Sequence, residues 1–130
     1  MQENEADFTL TFRRLCDAAL GPELEGSLRY LFKDARAYDK WALNWRVRMS
    51  HEVKTPDEHV ELMRQANPAV IPRNHRVEQA LEAAVEEGDY GPFEKLLEVL
   101  SSPCVEPVGH TEYMLPPKPE EHVLQTFCGT

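Results

Sequence analysis

Residues 27–49, SLRYLFKDARAYDKWALNWRVRM, set Leu28, Leu31, Ala35, Tyr38, Ala42, Trp45 and Met49 at alternating steps of three and four. That spacing puts the apolar side chains on one stripe of an α-helix. Ser27 is a candidate cap before it. The same stretch carries Arg29, Lys33, Arg36 and Lys40, which on a continuous helix would line a face away from the seam. A break near Asp34 would scatter them. A basic stripe invites a functional reading, but a solvated face answering acidic neighbours explains it as well, since surface ion pairs are common and individually weak. Trp41 and Trp45 lie one turn apart and only Trp45 falls on the seam, which predicts that Trp45 is the more buried.

Working outward, the N-terminal side predicts a helix from Glu5 to Ala19 with Phe8, Phe12, Leu15 and Ala19 inward, stopped by Gly21-Pro22. On the other side, Thr55-Pro56-Asp57-Glu58 combines a capping residue, a proline at the first helical position and acids against the helix dipole. That helix turns Val60, Met63 and Ala66 inward and ends at Asn67-Pro68. A further helix from Asn74 shows Val77, Leu81, Ala84 and Val85 on one face and stops at Gly88, a left-handed C-terminal residue. The last, opened by Asp89-Tyr90-Gly91-Pro92, turns Phe93, Leu96, Leu97 and Leu100 inward until Pro103. Five of the ten prolines fall between Pro103 and Pro119, and no helical period survives them. Tyr113, Met114, Leu115, Val123, Leu124 and Phe127 give this tail apolar docking points. The expected fold is all-α: a helical domain of about five helices over residues 1–103, sharing one core, with an extended proline-rich tail over 104–130.

At 130 residues, 42% hydrophobic and 28% charged, the chain has the size and composition of a folded domain. Its net charge of -9 would repel a phosphate backbone, so no nucleic-acid partner is expected. No apolar run approaches the ~18 residues of a membrane span, and Met1-Gln2-Glu3-Asn4-Glu5 does not resemble a secretory signal. Three widely spaced cysteines, Cys16, Cys104 and Cys128, argue against a disulfide scaffold and for the cytoplasm.

The catalytic inventory is empty. Cys104, His110, His122 and Cys128 offer two thiolates and two imidazoles, but without the spacing of known zinc sites, so no metal is assigned. Any of Cys16, Cys104 and Cys128 could in principle pair with His51, His59, His75, His110 or His122, and sequence cannot show which meet. Glu82, Glu86 and Glu87 belong on a wet helix face, and no glycine-rich phosphate loop is present. There remains the run Asn67-Pro68-Ala69-Val70-Ile71-Pro72-Arg73-Asn74-His75. Its two prolines force an extended connector, Asn74 can cap the next helix and Ile71 can plug the core. Arg73 and His75 are left to tie the connector to neighbouring carbonyls or carboxylates.

In this run, NPAVIPRNHRVEQALEAAVEEGDYGPFEKLLEVLSSP over residues 67–103, the chain resembles the C-terminal region of the selenoprotein O family. Asn67, Pro68, Ile71, Pro72, Arg73 and Asn74 carry the signature. Asp39, Trp41, Trp45, Arg46 and Arg48 upstream, and Tyr113, Pro116 and Pro117 downstream, extend the likeness over nearly the whole chain. The resemblance implies a parent enzyme with a kinase-like part that transfers AMP from ATP to protein hydroxyls with Mg as the divalent metal. It also implies that Cys128 stands where some members carry selenocysteine, a redox candidate. The family's nucleotide and metal ligands lie in the kinase-like part, so none carries over to these residues. Two departures stand out: Cys128 is followed by Gly129 and Thr130, not two serines, and Cys104 replaces an aromatic residue. The expectation is a helical accessory domain, not itself a catalyst, whose partner is the kinase-like domain of the same parent chain and which meets protein substrates through that parent. The alternative is a stand-alone protein-interaction module, and a free-standing thiol enzyme is a third reading.

Overall fold

In the computed structural model, which describes residues 1–123, α-helices, short 3-10 turns and a π turn make up the regular structure, and no strand occurs among the described residues. The fold is all-α, as expected. The chain divides into two compact units, Met1–Asn67 and Pro68–Thr130. Where one core was expected, the buried apolar residues group into two clusters, one in each unit. None of the described helices is long and apolar enough to cross a membrane.

The first unit holds α1 (Phe8–Ala18), α2 (Gly26–Arg29), α3 (Ala35–Ser50) and α4 (Pro56–Ala66). α1 starts at Phe8, not Glu5, because Asp7 takes the cap position and its carboxylate accepts from the Leu10 amide at 2.7 Å. Phe8 is consequently exposed, and Leu10, Leu15, Cys16 and Ala18 are the buried apolar side chains of this helix. The long apolar seam is interrupted after Arg29, and Asp34 recaps the chain through the Arg36 amide at 3.0 Å. Ser27 lies inside α2, whose cap position is Glu25. Even so, every seam residue is buried or half-buried, and Leu28 and Ala42 are wholly so. Interrupting the helix costs a few backbone bonds but leaves the packing pattern intact. Trp45 is half-buried and Trp41 exposed, as the spacing predicts, and the two rings stack 5.7 Å apart. Thr55 and Glu58 form a reciprocal capping box at the start of α4. Val60 is buried on that helix and Met63 half-buried, whereas Ala66 is exposed.

The second unit holds α5 (Asn74–Glu82), continued by a π turn (Ala83–Glu87), and α6 (Gly91–Leu100). Gly88 ends the first arm at φ 68°, the left-handed conformation that favours glycine. Here the expected faces are rotated. Ala80, Leu96 and Val99 are buried with Ala69, Val70 and Met114, and Val77, Leu100 and Tyr113 pack against them. Leu81, Val85, Phe93 and Leu97 are exposed. Val70, not Ile71, fills the core. Among the described residues after Pro103, the chain forms 3-10 turns at Thr111–Met114 and Pro119–Glu121.

Candidate functional site

The connector between α4 and α5 was singled out by sequence, and the structure shows what holds it. Ile71 precedes a proline, which disfavours helical backbone there, so its neighbours must find hydrogen bonds outside a helix. The amides of Ala69 and Val70 both donate to the Pro103 carbonyl, at 2.7 and 3.1 Å. Just before them Asn67 closes α4, its side-chain amide donating to the Met63 carbonyl at 2.7 Å. Within the first unit, buried Arg13 donates to the Asn67 carbonyl at 3.3 Å, satisfying one of the groups left open at a helix end.

Arg73 stands at the cap position of α5, and Asn74, expected to be the cap, is the first helical residue. The Arg73 guanidinium is buried and donates through Nη2 to the Met114 carbonyl at 2.9 Å. One turn later, Arg76 donates through Nη2 to the Glu112 carbonyl at 3.2 Å. Its guanidinium also lies 5.6 Å from the centre of the Tyr113 ring, within cation–π range. Two arginines on one helix end thus clasp the turn that delivers Met114 into the core. Arg76 and the clasped turn were missed by sequence reasoning, because the bonds run over 41 and 36 residues and leave no local signal.

Beside the clasp, a cavity of about 270 Å³ is lined by Pro72, Arg73, Asn74, His75, Glu121 and His122, among others. His75 is buried, and its Nε2 has no hydrogen-bond partner among the described residues. Burial, and then the neighbouring Arg76 charge, hold the His75 imidazole below the usual histidine range, with Glu121 opposing. It is therefore neutral near pH 7. The Glu121 carboxyl is held low chiefly by the Lys118 amide, which donates to it at 2.9 Å. Beside this cavity Arg73 and Glu121 each bind a main-chain group, the Met114 carbonyl and the Lys118 amide. No nucleophile stands beside His75 in the cavity lining.

Cys16 is fully buried, its Sγ donating to the Phe12 carbonyl at 3.3 Å, and burial raises its thiol; such a thiol is a packing residue. Cys104 is half-buried. Among the described residues no group of three or more His, Cys, Asp or Glu side chains could hold a metal ion. Cys128, the redox candidate, lies outside the described residues, as do Leu124 and Phe127. The basic residues Arg29, Lys33 and Arg36 each meet an acid, Asp39 at 2.8 Å, Glu5 at 3.0 Å and Asp34 at 3.4 Å. With the helix broken, these are separate surface pairs, in keeping with a solvated face answering acidic neighbours. Sequence gave no sign of a part-buried ion pair in the first unit, in which Glu25 takes the Arg46 fork, Nε to Oε1 at 2.7 Å and Nη2 to Oε2.

No family model matches the chain. Among curated proteins, it is 52% identical over all 130 residues to a "Protein nucleotidyltransferase YdiU" of Rhodopseudomonas palustris strain BisB5. A protein of the same name from Bradyrhizobium sp. strain ORS 278 is 52% identical over 126 residues, 97% of this chain. Another, from Rhizobium meliloti strain 1021, is 49% identical over 130 residues. The chain spans about a quarter of the length of each of these relatives, 26% in every case.

Proposed function

Because the chain is related along its whole length to the C-terminal region of the selenoprotein O family, we propose that it serves as the helical accessory region of a protein nucleotidyltransferase. The observation that carries this is the match itself: about half of the residues are identical over the entire chain, yet the match spans only a quarter of each relative. In this reading the parent's kinase-like part binds ATP and Mg and transfers AMP to protein Ser, Thr or Tyr hydroxyls. These 130 residues fix the shape of that part and do no chemistry by themselves. The clasp supports the assignment, since the guanidiniums of Arg73 and Arg76 bond main-chain carbonyls of their own unit. Cys128 would be brought beside the kinase-like part as a redox latch, and the parent would act in the cytoplasm.

The test compares the full-length parent with a version lacking the residues that correspond to 1–130. Removal should lower both the melting temperature and transfer of labelled AMP to a protein acceptor, and this chain alone should transfer none. Unchanged stability and activity after removal would overturn the reading. Label transferred by the 130-residue chain alone would overturn the claim that it is not a catalyst.

A further inference from the structure

The α5–α6 hairpin exposes apolar side chains that its own unit does not use. Leu81, Val85, Tyr90, Phe93 and Leu97 are 48, 82, 61, 41 and 54% exposed. They do not fall at random. Leu81 and Val85 are four residues apart on one arm, as are Phe93 and Leu97 on the other, the spacing of helical neighbours. In an antiparallel hairpin turning at Asp89, Val85 stands level with Phe93 and Leu81 with Leu97, because each pair is equally distant from the turn. The other stripe of each arm, Ala80 on α5 and Leu96 and Val99 on α6, is buried in the unit's core. The hairpin is therefore apolar on two sides, and its unit covers one. A contiguous exposed apolar face of that kind marks an interaction surface.

Its border is acidic. Between Asn74 and Leu100 stand seven carboxylates, Glu78, Glu82, Glu86, Glu87, Asp89, Glu94 and Glu98, against two basic side chains, Arg76 and Lys95. An apolar centre with a charged rim is the anatomy of a protein interface, and this rim calls for lysine or arginine around the facing patch.

We propose that the Leu81, Val85, Phe93 and Leu97 ridge docks on the preceding part of the same parent chain, against an apolar patch flanked by basic side chains. The inference rests on the accessory reading and names the surface through which it works. The relatives supply the occupant: about three quarters of each lies outside the matched region, and a tethered partner is present at high effective concentration.

The experiment places single cysteines at the ridge, Val85→Cys and Leu97→Cys, and at a fully exposed control, Val53→Cys, in both the 130-residue chain and the full-length parent. Maleimide labelling is followed site by site by mass spectrometry. In the parent, the two ridge positions should react on the order of tenfold or more slowly than in the chain, because labelling then waits on an opening, while Val53→Cys reacts alike in both. Equal rates at the ridge positions would overturn the proposed surface. They would leave the accessory reading standing, since that is decided by removal of the whole region. Protection that appears in the 130-residue chain alone and grows with its concentration would assign the ridge to a second copy, and would also overturn the proposal. A charged pair, Leu81→Asp with Leu97→Asp, gives an independent check. It should lower the melting temperature of the full-length parent and leave the far-ultraviolet spectrum of the 130-residue chain unchanged, and an unaltered melting temperature in the parent would count against the ridge.

Discussion

Replacing Arg73 by methionine removes the guanidinium and keeps most of the apolar stem. The bond to the Met114 carbonyl is 2.9 Å long and buried, and a hydrogen bond from a charged donor is worth about 1.5–3 kcal/mol. Its loss also strands a buried carbonyl, so a cost of about 2–4 kcal/mol is expected for opening the Thr111–Met114 turn. Arg76 provides the internal comparison. Its bond to the Glu112 carbonyl is longer, 3.2 Å, and the side chain is only half-buried, so Arg76→Met should cost about 1 kcal/mol. The readout is native-state hydrogen exchange at the amides of Tyr113 and Leu115, which donate to the His110 and Glu112 carbonyls. At about 1.4 kcal/mol per decade, Arg73→Met should speed their exchange roughly 30-fold or more and Arg76→Met roughly 5-fold. Amides of α3 in the other unit serve as the reference. A change at Tyr113 and Leu115 of less than about threefold in Arg73→Met, or an equal effect of the two substitutions, would refute the clasp.

Four further outcomes are expected. Gly88→Ala should destabilise the hairpin by about 1 kcal/mol in chemical denaturation, purely through the left-handed backbone, because no heavy atom lies within 4 Å of the added Cβ. Thr55→Ala should cost about 1 kcal/mol by the same measurement, since it removes the hydroxyl that accepts from the Glu58 amide and leaves half a capping box. The folded pKa of His75 is depressed, so the unfolded chain takes up the proton first. Its contribution to stability is complete above about pH 6.5 and is lost as pH falls through that value toward the folded pKa. Unfolding free energies between pH 7.5 and 5.5 should show the decline, and His75→Gln should flatten it. Cys16 should resist alkylation until the first unit unfolds, since it is fully buried and its thiol is raised, and its reaction at the native rate of an exposed thiol would contradict the packing described.

What could be read from sequence, and what could not, follows the range of the forces involved. The Thr55 capping box and the Gly88 stop depend on residues within one turn of each other, and both stand where local chemistry put them. The seam from Leu28 to Met49 survived even though its helix breaks at Asp34, because burial selects residues by the face they occupy and tolerates an interruption between turns. The hairpin defeated the same method. Periodicity finds an apolar stripe, but Ala80 and Leu81, or Leu96 and Leu97, are adjacent residues on neighbouring stripes, and only the covering partner decides which is inside. In the second unit that partner is the connector with Met114, and Met114 is delivered by Arg73 across 41 residues. The signature Asn67, Pro68, Ile71, Pro72, Arg73 and Asn74 therefore makes sense as one device. Asn67 closes α4, the prolines keep the chain extended so that Ala69 and Val70 reach the Pro103 carbonyl, and Arg73 pins the later turn. With Ala80, Leu96 and Val99 committed to that core, the Leu81 and Leu97 stripe is left facing outward. The same residues that lock the unit thus determine which apolar face it leaves exposed.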